Sequence, residues 1–162
     1  MTAVRAIYTL MPEYGGAFDW VHTADPTSDY TYLGGGPQIA EVWDEVHRMY
    51  ETLEGALQRW HGDFERADLL NEESAAAFDW ARFHRDGLAL ARRVRAMLGP
   101  QFRVVYEKPH EDPHCAVDER REVMPDGSLR SMPSRAEIQR HHRSPDECEA
   151  LVAGVRRDGS ID

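Results

Sequence analysis

A short segment in the last third of the chain contains several side chains that can bind metals or transfer protons. These are His110, Glu111, Asp112, His114, Cys115 and Asp118. Zinc is bound by His and Cys, and divalent metals in general accept carboxylates. Two histidines four residues apart can share one face of a helix, but Pro113 between them opposes a helix. The spacing is therefore typical of a polar loop between two strands, and we predict no metal, cofactor or catalytic residue in it.

Two other patterns could do chemistry. Gly34-Gly35-Gly36 precedes a helix start, where glycine-rich turns can cradle phosphate, but it matches neither the GxGxxG nor the GxxxxGK[ST] pattern. Cys115 and Cys148 are 33 positions apart, and we interpret them as free thiols of a cytoplasmic protein. An enzyme that is metal-dependent or hydrolytic and uses the His110–His114 loop remains the alternative function.

Acidic residues are concentrated in the first half of the chain. Residues 1–80 contain 15 Asp and Glu against 4 Arg and no Lys, and the whole chain has a formal charge of −10. Such a concentration of negative charge attracts cationic surfaces and repels nucleic acid and anionic membranes. The first twelve residues lack the apolar run of a secretory signal, and no apolar stretch approaches the roughly 20 residues of a membrane span.

Some of these acids are predicted to form a binding surface. They lie on the polar side of the first long helix and in the loop before it, interleaved with aromatic residues, as at interfaces where anchors sit among steering charges. The predicted partner-binding residues are Asp19, Trp20, Asp25, Asp29, Tyr30, Glu41, Asp44, Glu45 and Glu51. The alternative is a solvated face that only keeps the protein soluble.

Patterns of apolar side chains define the elements that must position these residues. Alternating apolar side chains predict strands over residues 4–10, 30–33, 102–107, 118–124 and 128–132, with a loop over residues 13–37. Asp126-Gly127 between the last two strands is a hairpin signal. Apolar residues every three or four positions and capping signals predict helices over residues 37–61, 74–98, 134–142 and 145–155. Gly62 is the predicted end of the first helix, and Ser74 the predicted N-cap of the second.

This order of elements predicts an α+β fold. We expect a single domain spanning residues 1–162, in which a small antiparallel or mixed sheet is packed by two long helices plus a C-terminal helix. The chain is long enough to bury a sizeable core.

One segment carries most of a resemblance to a known class. It is FDWARFHRDGLALARRVRAMLGPQFRVVYEKPHEDP, which predicts a long helix, a Gly-Pro stop and a strand. With its size, its acidic balance and its lack of a catalytic motif, the chain resembles the small acidic immunity proteins that bacteria encode beside polymorphic or interbacterial toxins. The resemblance implies a cytoplasmic protein that binds its toxin and occludes the toxin's active site, and it transfers no individual site residue.

The sequence therefore leads to a specific expectation. We predict a non-enzymatic binding protein, an immunity-type inhibitor that docks a basic toxin domain through an acidic face, with no nucleic-acid or membrane partner. The second alternative, besides the enzyme, is a scaffold subunit that associates with itself through its aromatic-rich loop.

Overall fold

A computed structural model of the protein describes residues 6–16, 18–22, 28–30 and 40–142. Its strands are β1 (Ala6–Leu10), β2 (Asp19–His22), β3 (Phe102–Glu107), β4 (Arg120–Val123) and β5 (Leu129–Ser131). Its helices are α1 (Ala40–Arg66), α2 (Glu72–Ala77), α3 (Trp80–Met97) and α4 (Arg135–His142). The predicted α+β class is confirmed. The predicted helix over residues 145–155 lies outside the described residues.

The strands form one mixed sheet in the order β2-β1-β3-β4-β5. β1 and β3 are parallel neighbours, from the Ala6–Phe102 pair to the Leu10–Tyr106 pair. The other neighbours are antiparallel. The predicted strand 102–107 is confirmed to the residue, and the hairpin turns at Gly127, whose positive φ of 83° suits glycine.

β2 lies inside the segment that the sequence predicts to be a loop. It pairs antiparallel with β1, and the Asp19 carboxylate accepts a hydrogen bond from the Tyr8 hydroxyl at 2.9 Å. The predicted strand at residues 30–33 is wrong at its first residue, since Tyr30 lies in a turn; residues 31–33 are outside the described residues. A strand of four residues offers too short a pattern for sequence reasoning, and the pairing with β1 stabilises it.

The two long helices cover one face of the sheet. The buried stripe of α1 consists of Val42, Val46, Met49, Leu53, Leu57, Trp60 and Phe64. Gly62 does not end this helix, because one more turn buries Phe64, whose ring lies 4.8 Å from that of Tyr14. Packing of an apolar side chain thus outweighs the cost of a helical glycine, which is up to about 1 kcal/mol.

The predicted helix 74–98 is interrupted. Asn71, and not Ser74, caps α2, and its side-chain oxygen accepts the backbone N–H of residues 73 and 74. Phe78 then adopts an extended backbone and packs its ring against Trp80 at 4.7 Å. Asp79 caps α3 by accepting the Arg82 backbone N–H at 3.0 Å. Two good caps and a half-buried aromatic ring therefore make two helices from one continuous periodic pattern.

Gly87 allows α3 to approach the sheet closely. A Cβ at this position would lie 2.7 Å from Cζ2 of Trp60 and 2.7 Å from Cε2 of Tyr106. Tyr106 is fully buried on β3, and the Trp60 indole N–H donates to the Phe83 carbonyl at 3.0 Å. Because Gly87 has no side chain, α1, α3 and β3 can make close contact at this position.

Gly87→Ala is expected to lower the free energy of unfolding by about 1–3 kcal/mol, because the new methyl group overpacks this contact. Gly55→Ala is the matched control. Gly55 is exposed on α1, and a Cβ there would meet only the flexible Arg59 side chain at 3.3 Å. Helix propensity should make that variant more stable by up to about 1 kcal/mol. Urea unfolding followed by far-ultraviolet circular dichroism measures both, and equal effects would contradict the close approach.

Candidate functional site

Asp29, a predicted partner-binding acid, is neutralised within the chain. It belongs to an ion-pair cluster of Asp29, Arg103, Glu122 and Arg130 on the sheet face opposite the long helices. The Asp29 carboxylate accepts from Arg103 Nη2 at 2.6 Å and from Arg130 Nη1 at 2.8 Å. The hydrogen bond from Arg130, with that from Arg103, holds the pKa of Asp29 well below its usual range. Asp29 therefore offers no free charge to a partner.

Tyr30 contacts α4, and Trp20 lies on β2 opposite Thr9 of β1. The Tyr30 ring stacks on His141 with 4.2 Å between centroids, and its carbonyl oxygen lies 2.6 Å from His142 Nε2. These contacts join residues 28–30 to α4. Trp20 is half-buried on β2, and its buried indole nitrogen has no hydrogen-bond partner among the described residues. A structural role in the fold accounts for Tyr30 without an external ligand.

Two more predicted acids bond to neighbouring elements. Burial raises the pKa of Asp19 to about 6, although the hydrogen bond from Tyr8 opposes the shift. The Glu45 carboxylate accepts from the Gly99 backbone N–H at 3.2 Å and from the Gln101 side-chain amide. Glu45 therefore ties α1 to the loop that leads into β3.

The other predicted acids have different outcomes. Asp44 and Glu51 are exposed on α1, as the sequence indicates. Glu41 lies in the first turn of α1, where only its helical backbone is described, and Asp25 lies outside the described residues. Of the seven predicted residues whose side chains the structure describes, Asp19, Asp29, Tyr30 and Glu45 make contacts within the fold, whereas Asp44 and Glu51 are exposed.

Asp29→Asn is expected to lower the free energy of unfolding by about 1–2 kcal/mol at pH 7, because charge-assisted hydrogen bonds to two arginines are weakened. The depressed pKa means that this stabilisation is present above the ordinary pKa of 3.8 and is lost as the pH falls below it. Asp44→Asn, a change at an exposed acid, should alter stability by less than about 0.5 kcal/mol. Chemical denaturation at pH 7 and at lower pH tests both, and a neutral Asp29→Asn would refute the internal role.

The His110–His114 loop sends its side chains in different directions. His110 and His114 are exposed, whereas Asp112 is buried. Among residues 6–16, 18–22, 28–30 and 40–142, no group of three or more His, Cys, Asp or Glu side chains is arranged to hold a metal ion. Cys115 is a free thiol in the same loop.

Asp112 instead completes a buried chain of three polar side chains. His84 Nδ1 lies 2.8 Å from the Tyr106 hydroxyl, and His84 Nε2 lies 2.7 Å from Asp112 Oδ2. Burial raises the pKa of Tyr106, so the phenol keeps its proton and donates to Nδ1. Nε2 of a neutral imidazole then carries the proton and donates to the carboxylate. The other oxygen of Asp112 accepts the His114 backbone N–H at 2.8 Å, which fixes the loop after β3.

This chain of hydrogen bonds makes stability depend on pH. Burial lowers the pKa of His84, while the Asp112 carboxylate opposes the shift. The unfolded chain takes up a proton near the ordinary pKa of 6.5, which the folded protein resists. The contribution of His84 is therefore complete above pH 6.5 and is lost as the pH falls from there through the folded pKa.

His84→Asn is expected to flatten the decline in stability below pH 6.5, by at most about 1.4 kcal/mol per pH unit. His47→Asn is the control, because His47 is exposed on α1. Unfolding free energies measured by urea titration between pH 7.5 and 5 give the two slopes. Identical slopes for His84→Asn and the unaltered protein would contradict a buried neutral imidazole.

A second acidic surface, not predicted from the sequence, lies on the connection between α1 and α3. This acidic connection, residues 67–79, contains no basic residue and four acids: Asp68, Glu72, Glu73 and Asp79. All four are exposed, and none forms a salt bridge with another described residue. Leu70 stands among them with 76% of its surface exposed. The sequence contains the pattern that indicates this surface, namely four acids and no base over residues 67–79. It was missed because one continuous helix was predicted from residue 74.

Two clefts border the acidic connection. The first, the carboxyl-end cleft, has a volume of about 250 Å³ and is lined by Met11, Pro12, Glu13, Tyr14, Leu70, Pro109, His110 and Glu111. The second measures about 340 Å³ and is lined by Trp60, Asp63, Phe78, Asp79, Arg82, Phe83 and Asp86. The first cleft combines a mostly apolar wall with Glu13 and Glu111, so it suits cationic groups that carry apolar parts. In the second cleft, Asp63 and Asp86 already pair with arginines.

Comparisons with protein-family models, with curated proteins and with solved structures found no match to this chain. Among the described residues, none of the helices combines the length and the apolar character that crossing a bilayer requires. The case for a function therefore depends on the geometry and charge of the surface.

Proposed function

We propose that this protein is a non-enzymatic binding protein, an immunity-type inhibitor that docks a basic protein domain and covers its active site. The observation that carries the proposal is the acidic connection: four exposed carboxylates without a basic partner among the described residues, around a leucine that is 76% exposed. Interfaces commonly place an apolar anchor among charges that steer association.

The distribution of charge supports this choice of surface. The ion-pair cluster on the opposite face of the sheet balances its own acids with arginines, so it exerts little net field. On α1, Asp63 pairs with Arg66 at 2.5 Å, and the exposed Arg48 donates to the backbone carbonyl of Asp44 at 3.3 Å, so it lies beside that acid. The acidic connection lacks such compensation. Its attraction for a cationic domain extends over roughly 8–10 Å at physiological ionic strength.

The enzymatic alternative has less support. A catalytic or metal site needs side chains that converge on one reacting atom. His110 and His114 are exposed, while Asp112 is directed to His84 in the interior. The free thiol of Cys115 accords with the proposed cytoplasmic location, where thiols stay reduced.

The double charge reversal Glu72→Lys with Glu73→Lys is expected to weaken binding to the basic product of the neighbouring gene by about tenfold or more, because it removes attraction and adds repulsion. The matched control is Asp44→Lys with Glu51→Lys, which has the same net charge but alters the exposed acids of α1. Isothermal titration calorimetry at two salt concentrations measures affinity and its salt dependence for both.

Three results would contradict the proposal in different ways. A loss of affinity confined to the α1 variant would show that the partner binds the acids predicted from the sequence and not the acidic connection. Unchanged affinity in both variants, with no salt dependence, would refute an electrostatic interface. Failure of the neighbouring product to bind at all would refute the immunity role. Circular dichroism of each variant confirms that α2 is retained, since acids in a first turn favour the helix.

A further inference from the structure

The carboxyl-end cleft lies where the two parallel strands of the sheet finish. β1 ends at Leu10 and β3 at Glu107, and their parallel pairing brings the segments that follow them to the same edge of the sheet. Met11 to Tyr14 form one lip and Pro109 to Glu111 the other, and Leu70 of the acidic connection borders the space. In open α/β sheets, ligands bind in crevices outside the carboxyl ends of the strands, at a topological switch point.

Hydrogen bonds hold both lips in place. On the first lip, the Glu13 carbonyl oxygen lies 2.7 Å from His61 Nε2. The Tyr14 hydroxyl accepts the Leu69 backbone N–H at 2.7 Å. On the second lip, the bond between Asp112 and His84 fixes the residue that follows Glu111. A ligand would therefore meet a cleft that is already formed, which lowers the entropic cost of binding.

The size of the cleft selects the kind of ligand. At about 250 Å³ it is smaller than the roughly 300–1,000 Å³ of pockets that enclose drug-sized molecules. This favours a side chain presented by a protein partner over a free cofactor.

The walls select the chemistry of that side chain. Met11, Pro12 and Pro109 are buried residues that line the cleft, and they contribute apolar side chains to its wall. Leu70 adds an exposed apolar edge. Glu13, which is exposed, and Glu111, which is half-buried, also line the cleft, and neither forms a salt bridge with another described residue. The complement of this surface is an apolar side chain with basic neighbours.

We infer that the carboxyl-end cleft receives one apolar side chain of the basic partner, flanked in the partner's sequence by Arg or Lys that pair with Glu13 and Glu111. The inference rests on the proposed function for the existence of that partner. It adds a defined anchor point beside the acidic connection, because Leu70 belongs to both surfaces.

The direct test uses acetylated, amidated peptides in place of the partner. The probe is Gly-Arg-Leu-Arg-Gly, and the comparison peptides are Gly-Arg-Gly-Arg-Gly and Gly-Glu-Leu-Glu-Gly. Titration at millimolar concentration, followed by ¹H–¹⁵N chemical shifts, should move the amide signals of residues 13, 14, 70, 110 and 111 with the first peptide. The peptide without leucine should bind at least about tenfold more weakly. The acidic peptide should cause no change in these chemical shifts.

Two pairs of variants locate the contact. Leu70→Ser should weaken binding of the first peptide by about tenfold or more, whereas Val117→Ser, a change at another exposed apolar side chain that is 65% exposed, should leave it unchanged. Glu13→Gln with Glu111→Gln should weaken it as well, and Glu51→Gln with Glu54→Gln on α1 should not.

The outcomes separate this inference from the proposed function. Absence of shifts with the leucine-arginine peptide, or shifts away from the lips, overturns the cleft as an anchor point. The proposed function then still stands if charge reversal at Glu72 and Glu73 weakens the binding of the neighbouring gene's product. Peptide binding in the cleft, with affinity for that product unaffected by the reversal, supports the cleft and refutes the acidic connection as the docking surface.

Discussion

The close contact between α3 and β3 at Gly87 sets the geometry of the rest of the molecule. The absence of a side chain there admits the Tyr106 ring into the groove between the long helices. One turn earlier in α3, the short distance between this helix and β3 brings the His84 imidazole within hydrogen-bonding distance of the Tyr106 hydroxyl. The other nitrogen of the same ring contacts Asp112. One turn later, the small and fully buried Ala91 keeps the helix near the sheet. The position of the loop after β3 therefore depends on one glycine, through two hydrogen bonds.

The two faces of the sheet are stabilised by different interactions. The face beneath the long helices is apolar, and its burial contributes most of the favourable free energy. The opposite face buries charges in pairs: Arg103 with Glu122, and Arg120 and Arg135 with Glu107. Buried pairs roughly balance their desolvation cost, so their main effect is positional. They specify which segments cover this face, because the Asp29 carboxylate adds a second ion pair to each of two arginines that already bind Glu122.

The parts of the fold that depend on local patterns were predictable from the sequence. β3 and the turn at Gly127 follow from alternating apolar residues and from the Asp-Gly signal. The parts that depend on distant partners were not. The break at Phe78 arises from aromatic packing, and β2 exists because β1 lies beside it. Asp29 looked like a free acid because the arginines that bind it are 74 and 101 positions away in sequence.

The sheet order has a consequence for synthesis of the chain. β1 and β2 leave the ribosome early as a hairpin, but the parallel partner of β1 is about a hundred residues further along. At roughly 5–20 residues per second, the inner edge of that hairpin waits for about 5–20 s with its backbone groups unpaired. An unpaired strand edge is a template for association with other nascent chains. The topology therefore leaves this edge open during translation until β3 emerges.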